Sequence, residues 1–147
     1  PHWDMYARGA IFGLTRGTTR AQIVRATLES LAMQTRDILI AMQGDTNITL
    51  NSLRVDGGAA ANNLLMQMQA DLLGVPVERP EMLESTAFGA ACLAGITSGI
   101  WDQSSLTALR ATSHRFTPQM DEATRKIRCE RWQQAVRRTL GWAQPAN

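Results

Sequence analysis

The sequence predicts an α/β fold, and more narrowly one part of an α/β domain whose first strands are not included. Segments with helical periodicity alternate with short β-branched segments, in the order helix, strand, helix, strand, helix, loop and helix. Such alternation is typical of parallel strands joined by helices. Because two strand segments are too few for a complete sheet, we expect the 147 residues to form the later half of a domain.

The composition is that of a globular protein: 44% of the residues are hydrophobic, 19% are charged, and the net charge is +2. No apolar run reaches the roughly 20 residues of a membrane span. The first residues lack the basic and apolar regions of a signal peptide. We therefore expect a cytoplasmic protein without a membrane partner.

Basic residues are concentrated near the end of the chain: Arg125, Lys126, Arg128, Arg131, Arg137 and Arg138. A small arginine-rich nucleic-acid binder is one interpretation of such a cluster. Glu130 interrupts it, however, and no repeated aromatic residues accompany it for base stacking. We interpret the cluster as the solvated face of a helix and expect no nucleic-acid partner.

The two cysteines, Cys92 and Cys129, lie far apart and outside any CxxC spacing. The two histidines, His2 and His114, are not close to either of them in sequence. This arrangement indicates free thiols in a reducing compartment rather than a metal site.

The first part of the chain consists of an irregular lead-in, residues 1–20, and a long helix, residues 21–43. Thr18 or Thr19 is suited to cap the helix, because a hydroxyl there can accept from the free N–H groups of the first turn. Apolar residues at spacings of three and four predict one buried face, formed by Val24, Leu28, Leu31, Thr35, Ile38 and Met42. Gly44 is predicted to end the helix.

The middle of the chain contains the two predicted strands. Residues 52–55 form the first, and a helix over residues 60–73 follows, ending at Gly74. Its inward side chains are predicted to be Leu64, Leu65, Met68 and Leu72. The second strand, residues 75–78, contains Pro76, which favours an early or edge position because proline cannot donate to a neighbouring strand.

Two further helices complete the predicted elements. The first begins at Ser85 and Thr86, is rich in small residues suited to close packing, and ends at Gly99. The second spans residues 122–143, with an inner stripe of Cys129, Trp132, Ala135, Val136, Thr139 and Leu140. The predicted organisation is thus the lead-in at 1–20, an α/β core at 21–121 and a C-terminal helix at 122–143.

The most informative segment is the predicted strand-to-helix turn at residues 56–63. Gly57 and Gly58 remove side chains where a ligand can meet the backbone, and they permit positive φ. The helix that follows offers free N–H groups to a phosphate, and Asn62 in its first turn can hydrogen-bond a sugar, a phosphate or a base. A tight turn without any ligand is the alternative, since no Walker or GxGxxG spacing is present. Asp56 is expected to hold the turn by hydrogen bonds rather than to act as a catalytic carboxylate.

Two stretches of the chain share their spacing with a known family. The first is Gly9-Ala10-Ile11-Phe12-Gly13-Leu14, followed after seven residues by Gln22-Ile23 and then by Ala26-Thr27-Leu28-Glu29. The second is Asp56-Gly57-Gly58 with Asn62. Both resemble the sugar and polyol kinases of the FGGY family, and the second is similar to that family's adenosine-contacting turn.

Within the FGGY family the likeness is strongest to the members that phosphorylate glycerol, and it covers nearly the whole chain, most weakly at residues 104–119. The segments that carry it are Trp3-Asp4, Tyr6-Ala7-Arg8-Gly9, Gly13-Leu14-Thr15-Arg16-Gly17, Arg25-Ala26-Thr27-Leu28-Glu29-Ser30, Gln34-Thr35-Arg36-Asp37, Arg54-Val55-Asp56-Gly57-Gly58, Asn62-Asn63 and Val77-Glu78-Arg79-Pro80-Glu81.

The resemblance implies part of the C-terminal actin-like (ribonuclease H-like) domain of an ATP-dependent kinase that makes glycerol 3-phosphate. Gly58 and Asn62 would contact ATP or ADP, Gly57 would shape the turn, and the small residues that open the helix at 86–91 would lie beside the same cleft. Mg²⁺ would accompany the nucleotide, and a homo-oligomer is expected. The family's catalytic base and glycerol-binding groups lie upstream, so the resemblance implies no catalytic residue in this chain and no activity for it alone.

Three matters stay open in the sequence. Another FGGY polyol or pentulose kinase, or a non-catalytic actin-like interaction domain, would share these motifs. Arg8 and Arg16 can reach a phosphate or make contacts between domains or subunits. An incomplete domain would also expose apolar faces and strand edges, which leads us to expect association in solution.

Overall fold

The computed structural model describes residues 3–102, 104, 106 and 112–145. The chain forms two compact units: one contains Pro1–Thr49 and Met120–Asn147, and the other contains Leu50–Gln119. The elements in chain order are helix α1 (Arg20–Thr46), strand β1 (Leu53–Arg54), a 3₁₀ helix (Gly58–Ala61), α2 (Asn63–Leu73), β2 (Val77–Pro80), α3 (Ser85–Thr97), β3 (Thr112–Phe116) and α4 (Glu122–Arg137).

Helix α1 is longer than the sequence pattern predicts. It begins after Thr19, whose backbone N–H donates to Oε1 of Gln22 at 2.7 Å. The prediction that Gly44 ends the helix is wrong, because Asn47 takes the left-handed conformation (φ 54°) that terminates it instead. Asparagine tolerates this conformation better than most residues with a side chain, so a glycine is not required there.

The contacts between α1 and α4 lie on a different side of α1 from the one predicted. Nε1 of Trp132 donates to Oδ2 of Asp37 at 2.6 Å, and Nη1 of Arg128 lies 3.3 Å from Oε1 of Glu29. The buried residues of α1 are Ala32 and Met33. The predicted buried face is wrong for four of its six members, Val24, Leu31, Ile38 and Met42, whose relative exposure is 45–56%. Periodicity identifies a face suited to burial, but burial itself requires a neighbour on that face.

Helix α4 ends at Arg137, six residues earlier than predicted, and turns follow over residues 138–143. The lead-in holds these turns: Oδ2 of Asp4 accepts the N–H of Gly141 at 2.7 Å, and the carbonyl of Tyr6 accepts the N–H of Ala143 at 3.0 Å. The N–H groups of Gly141 and Tyr6 hold the pKa of Asp4 below its ordinary value. Of the predicted inner stripe only Cys129 is fully buried. Its neighbours further along the stripe are half-buried, or exposed in the case of Leu140.

The second unit contains a small mixed sheet in the order β1-β2-β3. As predicted, β1 and β2 are parallel, with Leu53 opposite Val77. Pro76 directly precedes β2, which agrees with an early position, but β2 is the central strand and the edge alternative is therefore wrong. Strand β3 was not predicted, because in Thr112–Phe116 only Phe116 is a large apolar residue.

The core of the second unit lies between α2 and one face of the sheet. Val77 and Phe116 are opposite each other in β2 and β3, and both are buried. Helix α2 contributes Leu65, Met66, Met68, Ala70 and Leu72, and it ends at Gly74 (φ 74°) as predicted. The predicted inward position of Leu64 is wrong, since its relative exposure is 49%.

Helix α3 packs closely against the residue that follows its C-terminal turn. The backbone N–H groups of Ile100 and Trp101 both donate to the carbonyl of Gly95, at 2.9 and 3.2 Å. A Cβ placed on Gly95 would lie less than 3.0 Å from three ring atoms of Trp101. Gly89, in the same helix, has no atom within 4 Å of the corresponding position.

We therefore predict that Gly95→Ala and Gly89→Ala have opposite effects on stability. Gly95→Ala should reduce the free energy of unfolding by about 1–3 kcal/mol, because the new methyl group displaces the Trp101 ring. Gly89→Ala should be neutral or stabilising by up to about 1 kcal/mol, because alanine favours the helix. Urea unfolding followed by circular dichroism measures both, and equal effects would contradict this packing.

A second prediction concerns Asp121, which caps α4. Its Oδ1 accepts the N–H of Thr124 at 2.8 Å and its Oδ2 accepts the Thr124 hydroxyl at 2.7 Å, and these bonds lower its pKa below the ordinary 3.8. A lowered pKa adds stability that is present above the unfolded pKa and is lost as the pH falls through the folded one. Asp121→Asn keeps a capping oxygen without the charge, so it should unfold more easily than the wild type at neutral pH. Denaturant titrations from pH 7 to pH 2 should show the difference disappearing in acid; a difference independent of pH would exclude this origin.

Candidate functional site

The predicted turn lies at the carboxyl ends of the parallel strands β1 and β2. The N–H of Val55 donates to the carbonyl of Glu78 at 3.0 Å, which continues the pairing one residue beyond β1. The N–H of Gly57 then donates to the carbonyl of Leu83 at 2.8 Å, two residues before α3 begins. The connections that follow β1 and β2 therefore meet at the carboxyl ends of the strands, where α/β sheets bind ligands.

The two glycines have different roles in this turn. Gly57 has φ 79° and ψ 175°, a conformation that is essentially restricted to glycine. Gly58 has an ordinary φ and is exposed. A Cβ on either residue would meet no atom within 4 Å, so the space in front of this backbone is open.

The helix after the turn begins differently from the prediction. A 3₁₀ helix at Gly58–Ala61 comes first, and its first internal hydrogen bond runs from the N–H of Ala60 to the carbonyl of Gly57 at 3.0 Å. The N–H groups of Gly58 and Ala59 precede that bond and therefore have no partner within the 3₁₀ helix. They are the backbone donors that the turn can offer to a ligand.

Asn62 is the N-cap of α2 rather than a residue of its first turn, which corrects the predicted placement. Its Oδ1 accepts the N–H of Leu65 at 3.1 Å. The side chain is exposed, and its amide nitrogen makes no hydrogen bond with the residues that the structure describes. Capping fixes the side-chain oxygen, so the amide nitrogen is the group that can donate to a ligand.

Asp56 does not hold the turn in the way predicted. Its carboxylate is exposed and has no hydrogen bond within the described part of the chain. The backbone bond between Gly57 and Leu83 holds the turn instead. Because the space beside the glycines is open, no side chain of the described residues packs against the turn here to hold it.

Arg79 is a residue of this site that the sequence analysis did not identify. Its Nη1 donates to the carbonyl of Ala60 at 2.9 Å and to Oδ1 of Asn63 at 2.8 Å. Its guanidinium carbon lies 5.3 Å from the centre of the Phe116 ring. Alternation along β2 puts Arg79 on the same face as the buried Val77, and an arginine on a buried strand face is the signal that could have identified it.

The other candidate residues are Arg8, Arg16 and Cys129 in the first unit and Cys92 in the second. Nη1 of Arg8 donates locally, to the carbonyls of Ala7 and Met5 at 2.8 and 3.2 Å, and Arg16 is exposed. Both cysteines are free and buried, and burial raises the pKa of the Cys129 thiol. Across the described residues no three His, Cys, Asp or Glu side chains are grouped as a metal site requires. None of the described helices combines the length and hydropathy of a membrane span.

Comparison with known proteins identifies the class. Residues 1–98 match the C-terminal domain of the FGGY family of carbohydrate kinases, and the chain belongs to this family. The α/β architecture with its small mixed sheet matches solved FGGY kinases, which confirms the predicted fold class.

The particular relatives include a glycerol kinase from Natranaerobius thermophilus, which is 57% identical over 97% of this chain. The chain spans 29% of that protein's length. The structure of Plasmodium falciparum glycerol kinase with ADP is 39% identical, with a TM-score of 0.85 over 95% of this chain and 28% of that one. A xylulose kinase from Rhodospirillum rubrum is 31% identical, with a TM-score of 0.68 over 91% of this chain and 28% of that one.

The conformation of the turn predicts different responses to alanine at its two glycines. Gly57→Ala should reduce the free energy of unfolding by about 1–3 kcal/mol, because a side chain is strained at φ 79° and ψ 175°. Gly58→Ala is the matched control, and it should change stability by less than about 0.5 kcal/mol because its φ is ordinary and the space is open. Urea titrations measure both; equal losses would show that Gly57 is not the strained position.

Proposed function

We propose that this chain is the C-terminal part of an ATP-dependent kinase that phosphorylates glycerol to glycerol 3-phosphate, and that it forms the adenosine side of the ATP site. One observation carries the proposal. A glycine turn with open space in front of it lies at the carboxyl edge of the parallel strands, in a chain similar to a glycerol kinase solved with ADP.

The residues of the turn fit a nucleotide. Because Gly57 and Gly58 have no side chains, the flat face and sugar of an adenosine can approach the main chain directly. The N–H groups of Gly58 and Ala59 and the amide nitrogen of Asn62 are donors suited to the ribose, phosphate and base acceptors of ATP or ADP. The nearby start of α3 carries the small residues Ser85, Thr86 and Ala87, which leave room at the same end of the strands.

The chain supplies binding but no chemistry of its own. Phosphoryl transfer requires an acceptor held in line with the γ-phosphate and a residue that accepts the hydroxyl proton. Mg²⁺, bound with the phosphates of ATP, would neutralise charge during the transfer. We assign the catalytic base and the glycerol-binding groups to the remainder of the kinase, so residues 1–147 contain no catalytic residue and no metal ligand. We further place the enzyme in the cytoplasm and expect it to act as a homo-oligomer.

A pentulose kinase is the second candidate, because the xylulose kinase from Rhodospirillum rubrum shares this fold. Its identity of 31% is well below the 57% of the Natranaerobius thermophilus glycerol kinase, which favours glycerol. A non-catalytic interaction domain would show no turnover of either substrate in the complete protein.

The complete kinase that contains this chain provides the test. Glycerol should be preferred to D-xylulose by about 100-fold or more in kcat/KM, since a site built for one hydroxyl pattern rejects another. Gly58→Val should raise the KM for ATP about tenfold and leave the KM for glycerol within about twofold, because the new side chain fills the nucleotide position. Residues 1–147 alone, with ATP, Mg²⁺ and glycerol, should show no turnover.

Gly44→Ala is the control for the ATP measurement, because Gly44 lies in α1, outside the unit that contains the turn, and a Cβ there would meet no atom within 4 Å. A preference for D-xylulose would replace glycerol by the second candidate. An unchanged KM for ATP in Gly58→Val would show that the nucleotide lies elsewhere. Turnover by the isolated chain would overturn the assignment of catalysis to the remainder of the kinase.

A further inference from the structure

We propose that Arg79 is a positioning residue for the nucleotide: its guanidinium fixes the far end of the Gly57–Asn62 turn, so that the backbone donors of the turn keep one geometry. The proposal rests on the nucleotide-binding function assigned above to this turn. Arg79 acts through the backbone and does not itself contact ATP or ADP.

Hydrogen bonds hold the turn at both ends. At its start, the N–H of Gly57 is bound to the carbonyl of Leu83 at 2.8 Å. At its end, Nη1 of Arg79 lies 2.9 Å from the carbonyl of Ala60 and 3.4 Å from the carbonyl of Ala61. The N–H groups of Gly58 and Ala59 lie between these two attachments, so both attachments together set their direction.

The same guanidinium also joins the 3₁₀ helix to α2. Its Nη1 donates to Oδ1 of Asn63, the first residue of α2, at 2.8 Å. Carbonyls at the end of a short helix lack internal partners and carry partial negative charge, which a cation neutralises. Arg79 therefore fixes the junction at which Asn62 lies, between Ala61 and Asn63.

The position of Arg79 is itself restricted by the sheet. Its backbone is in the central strand β2, opposite His114 in β3. Its guanidinium lies over the Phe116 ring, which is buried and 4.4 Å from the His114 ring. A half-buried arginine held against an aromatic face loses little further freedom when it binds the carbonyls, so it is a rigid attachment.

Arginine is suited to this role in a way that lysine is only in part. All three acceptors lie near one nitrogen, Nη1, while the planar guanidinium that carries it lies over the Phe116 ring; an ammonium group is a flexible point charge without such a plane. Lysine at position 79 can keep a bond to the carbonyl of Ala60, but it has no planar group to rest on the Phe116 ring, so its nitrogen is held less rigidly. Partial recovery by lysine is thus a specific expectation of a positioning role.

Steady-state kinetics of the complete kinase test the proposal through Arg79→Gln, Arg79→Lys and Arg115→Gln. Arg79→Gln should raise the KM for ATP about tenfold while the KM for glycerol stays within about twofold, and Arg79→Lys should have a KM for ATP about threefold above the wild type. Arg115→Gln is the control: it removes a guanidinium of the neighbouring strand that is paired with Glu78 at the surface, and it should leave both KM values unchanged.

The outcomes separate this proposal from the function on which it rests. If Gly58→Val raises the KM for ATP and Arg79→Gln does not, Arg79 has no positioning role although the turn binds the nucleotide. If neither variant changes the KM for ATP, the turn is not the nucleotide site and both proposals fail. If Arg79→Gln does not fold, Arg79→Lys decides: a threefold higher KM for ATP with an unchanged KM for glycerol supports the role, and wild-type values overturn it.

Discussion

The candidate site depends on one hydrogen bond at the carboxyl ends of the strands, from the N–H of Gly57 to the carbonyl of Leu83. It ties the segment that leaves β1 to the segment that leaves β2, after the parallel pairing has ended at Val55. To make this bond and then enter the 3₁₀ helix, the chain must take a backbone conformation that only glycine adopts without strain. The conformation also leaves the backbone uncovered, so the same constraint that shapes the turn creates the open surface to which the proposed function assigns the nucleotide.

Apolar packing rather than charge holds the sheet that carries this turn. On the outer face, Glu78 lies 3.5 Å from Nε of Arg54 and 3.1 Å from Nη1 of Arg115, and both arginines are more than half exposed. The Glu78 side chain is 14% exposed, but solvent around both arginines screens the pairs, so each contributes on the order of 1 kcal/mol. On the inner face each fully buried side chain, such as Val77, contributes about 1.5–3 kcal/mol. The several large side chains of the α2 face therefore outweigh the ion pairs.

The sequence was sufficient where a feature is local. The conformations of Gly57 and Gly74 follow from the conformational freedom of glycine, and the parallel pair follows from the alternation of helices and strands. It was insufficient where a contact is made by distant residues. No periodic pattern in the sequence indicates the pairing that makes Thr112–Phe116 a strand. None indicates the acceptors of Arg79, which lie 16–19 residues away in sequence. Helix α1 shows the same limit, because its most regular apolar stripe is exposed while Ala32 and Met33 are buried.

Under the proposed function, nucleotide binding and catalysis require contacts of different range. All the hydrogen bonds that shape the glycine turn, including those to Leu83, Ala60 and Asn63, lie within the compact unit Leu50–Gln119. The glycine turn proposed to bind the nucleotide can thus be formed by one continuous segment of about 70 residues, in line with the size of small folded domains. Transfer of a phosphoryl group needs a base and an acceptor on the opposite side of the phosphate, which one edge of a sheet cannot supply. A chain that spans 29% of its relative's length can therefore hold all the contacts of the glycine turn, and under the proposed function the chemistry requires the remainder of the kinase.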